Sequence, residues 1–455
     1  MYQFKAVDIM FTKIKDVLAG KHPDGTEVQL GGWVVKSRSS GKIVFTIIRD
    51  SSGEIQVTTK KGNACDDALK AADALTLECS VIITGKVRTD PRAPGGREIV
   101  ATDLKLIGAS PYYPIFGEGH NPEVLLDLRH LHIRSKELVA AMKVKDAVLY
   151  ACREWFRGHS FYEVTPPIIM SSSCEGGSTL FELKYFEDKA YLSQSAQLYL
   201  ESLIFGLENV YSITPSFRAE KSRTTRHLAE YWHIEGEMAW TGLYEMIDML
   251  EQLVSFVCNR AAEQCAPEIR TLGGDPGYFL DLKPPFPRIT YDEAVRILQA
   301  DGFEFRWGDD FGTHEERQIS MHYDKPLFIT EYPLEVKAFY MKAAGPTESV
   351  RAGPTDSARA GNTKVLNVDM IAPKGFGEII GGSERETDLE LLEERIRKQG
   401  EDPAKYGWYL DLRRYGSVPH SGFGMGAERL VRWICNLEHI RDTIPYPRTI
   451  SRFNP

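Results

Sequence analysis

The sequence lacks the features that mark secreted and membrane proteins. Its 455 residues include 7 cysteines, an odd number, and no CxxC pair. This usage argues against a disulfide framework or a zinc ribbon and favours a reducing compartment. No apolar run approaches the roughly 20 residues that span a bilayer. The N-terminal stretch carries Asp8 and has no small-residue cleavage site, so we expect no signal peptide and predict a cytoplasmic protein.

An overall excess of positive charge is also missing. The chain has 55 Lys and Arg against 64 Asp and Glu, a net charge of −9, which taken alone argues against nucleic-acid binding. The charge is unevenly distributed, however. Residues 28–110 hold 12 Lys and Arg and 9 Asp and Glu. A mildly basic N-terminal stretch therefore precedes an acidic remainder.

The length is too great for one ordinary hydrophobic core and predicts more than one domain. Residues 28–107 contain five runs rich in β-branched residues, separated by turns bearing Gly, Ser and Asp, with one helix predicted around 65–75. Five short strands in so short a stretch indicate a small closed barrel. The OB-fold is the common barrel of this kind that binds oligonucleotides. We assign residues 1–110 to an N-terminal OB-fold domain.

The rest of the chain favours an α+β domain. Residues 111–134 combine Pro and Gly with no periodicity and are predicted to be a linker or hinge. Residues 135–455 mix strands with helices, predicted at 135–156, 242–263 and 387–399, without regular β-α alternation. This pattern predicts an antiparallel sheet flanked by helices. Residues 342–364 are low in complexity and are predicted to form a surface loop.

A cationic loop between two alternating strands is the first candidate for chemistry. Residues 218–227 hold four Lys or Arg, one Glu and one His, within SITPSFRAEKSRTTRHLAEYWHIEGEMAW, residues 212–240. Arginine binds phosphate bidentately and stays charged, so the loop could clamp a polyphosphate. A solvated hairpin tip would have the same composition.

Two further segments could bind phosphate and a metal ion. In GFGMGAERLVRW, residues 422–433, glycines at alternate positions precede a helix that carries Arg429. Glycine lets a backbone approach a ligand closely, and a helix N-terminus favours phosphate. A tight turn between a strand and a helix would have the same sequence pattern. Asp369 and Glu378 could place carboxylate oxygens on Mg²⁺, or could be surface acids around a turn.

Together these segments resemble motifs 2 and 3 and the metal-binding strand of class II aminoacyl-tRNA synthetases. GHSFYEVTPPII, residues 158–169, resembles motif 1, with Pro167 where the family has its dimer-interface proline. Four spaced patterns must coincide, so the joint signal is more specific than any one of them. EGGSTLFELKYF, GEIIGGSERE and YGSVPHSGFGMG resemble the asparaginyl members of the aspartyl/asparaginyl branch.

The resemblance implies a homodimer that uses ATP and Mg²⁺. Arg218 and Arg429 would act on the phosphates and Asp369 and Glu378 would hold the metal. The residues implied in ATP binding are Arg218, Glu220, Arg226, His227, Leu228, Tyr231, Glu378, Gly426 and Arg429. The amino-acid carboxylate would attack the α-phosphorus, and the terminal ribose of tRNA would then attack the adenylate. No side-chain nucleophile is required, so catalysis consists of positioning and charge neutralisation.

The resemblance also implies the amino acid. Its pocket would be lined by Glu175, Gln197, Glu235 and Arg385. Aspartyl enzymes supply a lysine from QSxQxxK, whereas QSAQLYL here places Leu200 at that position. A pocket with Arg385 and Glu235 but no lysine is net neutral and suits an amide. The implied reaction is attachment of L-asparagine to tRNA-Asn.

In the barrel, the resemblance implies anticodon contacts from Phe45, Gln56 and Glu98. An exposed aromatic stacks on a base, although Phe45 alone also fits a barrel core. Glu384 departs from the family pattern, whereas Gly381 departs only from the aspartyl pattern and is in keeping with the asparaginyl branch. Glu384 replaces a usual Gln and is expected to add an acid beside Arg385, reshaping the pocket. Gly381 replaces a serine that aspartyl enzymes use near the metal.

Two alternatives remain open from the sequence. The first is an aspartyl-tRNA synthetase, including one that charges both tRNAs, and Leu200 argues against it. The second is a synthetase-like paralogue that makes asparagine or binds without charging tRNA. Phe45 and Gln56 argue against the second, because such a protein needs no anticodon reader.

Overall fold

A computed structural model describes residues 11–117, 119–171, 174, 179–222, 224–345 and 363–455. Glu175 and most of the 342–364 segment, residues 346–362, lie outside the described residues. The chain divides into two compact units, Met1–Asn121 and Pro122–Pro455.

The first unit contains a closed five-stranded barrel with the neighbour order β1-β2-β3-β5-β4. Its elements are α1 (Ile14–Leu18), β1 (Glu27–Ser40), β2 (Ile43–Asp50), β3 (Gly53–Lys60), α2 (Asp66–Asp73), β4 (Ser80–Thr89) and β5 (Arg97–Gly108). Alternate strand residues, among them Val44, Ile48 and Ile83, point inward and form one buried cluster. The five predicted strands are confirmed, because their inward and outward side chains alternate with a period of two. The predicted helix is confirmed as α2.

Among its described residues, the second unit contains one large sheet of eight strands and two smaller sheets. Its strands are β6 (Tyr162–Glu163), β7 (Ile169–Met170), β8 (Glu182–Tyr185), β9 (Asp188–Leu192), β10 (Asn209–Phe217), β11 (Glu230–Ala239), β12 (Arg288–Thr290), β13 (Leu327–Thr330), β14 (Ala343–Ala344), β15 (Lys364–Val365), β16 (Asn367–Ala372), β17 (Gly377–Glu384) and β18 (His420–Gly426). Its α-helices are α3 (Pro122–Asp127), α4 (Arg129–His132), α5 (Lys136–Gly158), α6 (Gln197–Leu207), α7 (Leu243–Thr271), α8 (Pro276–Leu280), α9 (Tyr291–Ala300), α10 (Thr313–Ser320), α11 (Leu389–Lys398), α12 (Gly407–Arg414) and α13 (Ala427–Ile434).

The sheet has the order β12-β13-β16-β17-β18-β11-β10-β6. Its central strands are antiparallel, as predicted, whereas the outermost pairs, β12 with β13 and β10 with β6, are parallel. The long helices α5 and α7 bury Val144, Phe156 and Leu250 in one cluster with Ile380 and Met425 of the sheet. This packing fixes one face of the sheet and leaves the other for a cavity.

The segment predicted as a linker, 111–134, is partly helical, because it contains α3 and α4. Arg129 of α4 is buried and donates to the backbone carbonyls of Arg441, Ile444 and Pro445. Helices this short do not complete enough turns to show a periodic pattern, so the sequence did not indicate them. In the part of the chain that the structure describes, no helix is long and apolar enough to cross a membrane.

Candidate active site

A cavity of about 390 Å³ lies on the open face of the large sheet. It brings together residues from α6, α10, β11, β16, β17, β18 and α13, and from the segment 218–228 that follows β10. The predicted site residues among its lining are Gln197, Arg218, Arg226, His227, Leu228, Tyr231, Glu235, Asp369, Glu378, Arg385, Gly426 and Arg429. Glu220 is not part of the lining, and its carboxylate lies 3.8 Å from His227 Nε2.

Arg218 and Tyr231 lie side by side where β10 and β11 open into the 218–227 loop. The amide of Arg218 donates to the carbonyl of Ala229 at 2.9 Å, which closes the base of the loop. The guanidinium carbon of Arg218 lies 5.7 Å from the centre of the Tyr231 ring. A cation and an aromatic face are therefore presented together to the cavity.

Arg226 is held by Glu316, a residue that the sequence did not point to. Arg226 Nη2 donates to Glu316 Oε1 at 3.1 Å, and Nη1 contacts Oε2. The same Oε2 accepts from the backbone amide of Glu378 at 2.8 Å. Glu316 thus ties the predicted phosphate-binding arginine to the strand of the predicted metal ligand. No motif surrounds Glu316 in the sequence, and only the fold brings α10 to β17.

His227 is neutral at physiological pH. Burial, together with the charges of Arg429, Arg226 and Arg218, lowers its pKa to about 4, although Glu220 opposes this shift. Its Nδ1 lies 3.0 Å from Ser222 Oγ. A neutral imidazole offers hydrogen bonds to a phosphate rather than charge.

The carboxylates of Asp369 and Glu378 converge over Gly381. A Cβ at position 381 would lie 3.4 Å from Glu378 Oε1 and 3.6 Å from Asp369 Oδ1. Each acid also has a cation beside it: Lys337 Nζ is 2.8 Å from Asp369 Oδ2, and Arg429 Nη1 is 3.0 Å from Glu378 Oε2. Two converging carboxylates are the hard oxygen ligands that fit Mg²⁺.

The two acids differ in their titration. Burial, together with the charge of Glu378, raises the pKa of Asp369 to about 6, although Lys337 opposes this shift. Burial also works against ionisation of Glu378, but Arg429 and Lys337 outweigh it and bring its pKa down to about 2. At neutral pH both groups are therefore carboxylates.

The end of the cavity that is predicted to bind the amino acid contains a further acid, Glu237, which is the ion-pair partner of Arg385. Arg385 Nε and Nη2 donate to the two oxygens of Glu237 at 3.0 and 2.9 Å. Glu235 instead accepts from Ala196 N at 2.9 Å and from Ser195 Oγ. Glu235 and Glu237 are two residues apart on β11 and share one face, so the period of a strand could have indicated the second acid. The lining therefore carries one acid more than the predicted pair.

Leu200 is fully buried and lines the same end of the cavity. It packs in a cluster with Ala196, Ile204, Val210 and Ala239. An apolar side chain thus occupies the position at which the sequence comparison with aspartyl enzymes places a lysine.

The glycines of the 422–426 segment make room for side chains as well as for a ligand. A Cβ on Gly422 would overlap the Glu237 carboxylate and lie 2.5 Å from Arg385 Nη2. A Cβ on Gly424 would lie 2.7 Å from His233 Cε1. Gly424 and Gly426 line the cavity, where close approach of a ligand stays a prediction, whereas the space over Gly422 is taken by the ion pair of Arg385 and Glu237.

Glu384 does not lie beside the pocket as expected. Its carboxylate is 2.5 Å from Lys342 Nζ and accepts from Leu243 N, at the start of α7, at 3.3 Å. Adjacent residues of a strand point to opposite faces, so Glu384 and Arg385 diverge. The expected disturbance of the pocket by Glu384 is therefore wrong.

The three predicted anticodon residues lie on β2, β3 and β5 of the barrel, where Phe45 and Gln56 are partly exposed and Glu98 is buried. Phe45 lies outside the barrel core, with the guanidinium of Arg38 5.1 Å from its ring, so the core interpretation of Phe45 is wrong. Gln56 Nε2 donates to Glu98 Oε2 at 2.8 Å, and Thr58 Oγ1 donates to the same oxygen at 2.6 Å. Glu98 is only 1% exposed, so its carboxylate orients the Gln56 amide and has little surface with which to contact a base directly.

Pro167, predicted at a dimer interface, is exposed next to other exposed apolar residues. Ile168 and Ile169 follow it in the chain, and Tyr162 belongs to the edge strand β6.

Comparison with known proteins identifies relatives of both units. The family described as tRNA synthetases class II (D, K and N) matches residues 121–450, and the OB-fold nucleic acid binding domain matches residues 28–107. Asparagine–tRNA ligases of Thermococcus gammatolerans and Pyrococcus abyssi are each 50% identical over 95% of this chain and 97% of their own.

A solved structure is similar throughout. The crystal structure of asparaginyl-tRNA synthetase from Pyrococcus horikoshii complexed with asparaginyl-adenylate matches with a TM-score of 0.91 and 48% identity. The match covers 98% of this chain and 100% of that one.

Proposed function

The chain belongs to the class II tRNA synthetases of the D, K and N group, and we propose that it attaches L-asparagine to tRNA-Asn through an asparaginyl-adenylate. The observation that carries the choice of amino acid is the charge at the amino-acid end of the cavity. There Arg385 is already paired with Glu237, Glu235 is a second acid, and Leu200 supplies no cation. A ligand carboxylate would meet uncompensated negative charge, whereas an amide can donate to an acid.

ATP would be bound by the cationic part of the cavity. Arg218 and Arg429, which both line the cavity, would neutralise the charge that develops when the asparagine carboxylate attacks the α-phosphorus. Tyr231 would offer its ring to the adenine, and Arg226 would face the outer phosphates. Asp369 and Glu378 would hold Mg²⁺, which neutralises phosphate charge and helps to orient the leaving group. All of these groups act by positioning and electrostatics.

The barrel would read the tRNA anticodon. Phe45 offers a ring for base stacking, and Gln56 is oriented by Glu98 so that its amide oxygen is available for a base. The local excess of basic residues in 28–110 suits a polyanionic partner.

The enzyme would be a cytoplasmic homodimer. All seven cysteines are free thiols, which suits a reducing compartment. The exposed Ile168, Ile169 and Tyr162 around Pro167 provide an apolar surface suited to a second copy. Sedimentation at micromolar concentration should give a dimer, and Ile169→Glu should shift the mass toward a monomer.

One pair of assays tests the function. ATP–pyrophosphate exchange is measured with asparagine and with aspartate, followed by aminoacylation of purified tRNA-Asn. We expect exchange with asparagine and charging of tRNA-Asn. Exchange with aspartate alone would establish an aspartyl-tRNA synthetase instead. Exchange without charging of tRNA-Asn would indicate a synthetase-like paralogue that does not charge tRNA.

A further inference from the structure

A fully buried acid lies behind the amino-acid end of the cavity without lining it. This residue, Glu201, is on α6, one helical turn after Gln197, so the two side chains are neighbours on one helix face. Glu201 Oε2 accepts from Arg413 Nη2 at 2.7 Å and from the Tyr409 hydroxyl at 2.8 Å, and it lies 3.1 Å from His420 Nε2. The other oxygen, Oε1, accepts from Gln197 Nε2 at 3.0 Å.

The charge state of Glu201 decides how Gln197 is oriented. Burial opposes ionisation of Glu201, but Arg413, His420 and Arg385 outweigh burial and hold its pKa below the ordinary value. An ionised carboxylate only accepts hydrogen bonds, so the Gln197 amide must direct its NH₂ group to Glu201. The two ends of an amide have nearly the same shape, and only such a network distinguishes them. Gln197 Oε1 is then the amide atom left for the cavity.

Resting on the function proposed above, we propose that Glu201 is a positioning residue that fixes the Gln197 amide with its oxygen toward the bound amino acid. The site then accepts a hydrogen bond from an N–H of the ligand. That N–H belongs either to the α-ammonium group, which asparagine and aspartate share, or to the side-chain amide, which only asparagine has.

Glu201→Gln tests the proposal by reversing the polarity of the contact. Arg413 and Tyr409 still donate toward the Oε2 position, so the new amide places its oxygen there and its NH₂ toward Gln197. The terminal amide of Gln197 must then rotate so that its oxygen accepts from the new amide. Its NH₂ group would face the N–H of the ligand, and two donors cannot form a hydrogen bond. We expect the KM for asparagine in ATP–pyrophosphate exchange to rise about tenfold or more, as for an unpaired group in a buried site, with kcat changed much less.

The reciprocal exchange Gln197→Glu with Glu201→Gln should restore binding. The buried hydrogen bond is re-formed with donor and acceptor interchanged, the total charge is kept, and an oxygen faces the cavity again. We expect a KM for asparagine within about threefold of the wild type. If Glu201→Gln alone does not fold, the double variant still decides, because a raised KM there would overturn the proposal.

Tyr409→Phe is the matched control. It removes a donor to Oε2 and leaves the contact between Glu201 and Gln197 in place, so it should lower thermal stability while the KM for asparagine stays near the wild-type value. A purely structural role of Glu201 would give parallel effects in Tyr409→Phe and Glu201→Gln and no rescue by the double exchange.

The inhibition constant of aspartate, measured against asparagine, identifies the N–H involved. In Glu201→Gln it should rise by the same factor as the KM for asparagine if the α-ammonium donates, and should stay constant if the amide donates. An unchanged KM for asparagine in folded Glu201→Gln would overturn the inference. A wild-type enzyme that does not activate asparagine would instead refute the proposed function, and that assay comes first.

Discussion

Arg385 and Glu237 form a doubly hydrogen-bonded ion pair that passes directly over the backbone of Gly422. Glu237 lies on β11 directly opposite Gly422 of β18, and Arg385 comes immediately after β17, the strand on the other side of β18. A buried ion pair that loses one partner costs several kcal/mol, so the space over Gly422 is needed by the pocket.

Gly422→Ala should therefore disable the amino-acid site. The added methyl group overlaps Glu237 and forces the pair apart. We expect the KM for asparagine in pyrophosphate exchange to rise by at least about tenfold, corresponding to ~1.4 kcal/mol or more. The control is Gly407→Ala at the start of α12, where nothing lies within 4 Å of the new Cβ. Equal kinetics in the two variants would contradict the assigned role of Gly422.

Leu200→Lys should shift the preference of the cavity toward aspartate. A lysine there adds a positive charge to a lining that contains Glu235 and Glu237, and it creates a partner for a ligand carboxylate. We expect the ratio of aspartate to asparagine activation to rise about tenfold or more, with a lower melting temperature because a buried cation is costly. Leu200→Met conserves volume and charge and should leave the ratio unchanged. An unchanged ratio of aspartate to asparagine activation in Leu200→Lys would show that position 200 is not part of the amino-acid pocket.

Glu316→Gln should weaken ATP binding. The substitution removes the charge that holds Arg226 and loosens its link to the Glu378 amide. We expect the KM for ATP to rise about tenfold, while the KM for asparagine changes little. The adjacent Glu315→Gln is the control, since Glu315 is less buried and makes no such contact with Arg226. A parallel rise in both KM values would indicate a general loss of structure instead.

The low pKa of His227 predicts a pH dependence of stability. Because its pKa is about 4 in the folded protein and near 6.5 when unfolded, the folded state binds fewer protons between these values. The contribution of His227 to the free energy of unfolding is therefore fully present above pH 6.5 and is lost as the pH falls toward 4. Between pH 7 and 5 the melting temperature of His227→Gln should fall by about 2 °C less than that of the wild type. Equal losses would contradict the assigned pKa.

Phe45→Ala should impair tRNA charging and leave adenylate formation intact. A lost stacking contact costs about 1–3 kcal/mol, so kcat/KM for tRNA should fall by about fivefold to 150-fold. Pyrophosphate exchange with asparagine should be unchanged. Ile107→Ala, at an exposed position near the end of β5, controls for loss of apolar surface from the barrel. Loss of charging in both variants alike would argue against a specific role for Phe45.

The sequence indicated the parts of this protein whose patterns are local. The period of two along β1–β5 located the barrel, and it also placed Phe45 on one of two faces, between which only the closed barrel could decide. The glycines of 422–433 and the arginines of 218–227 led to the prediction of a phosphate site, because glycine lets a backbone approach a ligand and arginine binds phosphate. Short helices such as α4 were missed, since a single turn has no period.

What the sequence by itself determined was the pair of folds, the identity of twelve residues that line the cavity, and the absence of a lysine at position 200. The tertiary structure decided which charges meet. Arg385 pairs with Glu237 rather than Glu235, Arg226 with Glu316, and Gln197 with Glu201. The first two are contacts between elements far apart in the chain, and the third depends on Arg413 and His420 keeping Glu201 ionised. Spacing in a sequence constrains neighbours on one helix or strand, whereas the pairing of buried charges depends on distances that only the packed sheet and helices set.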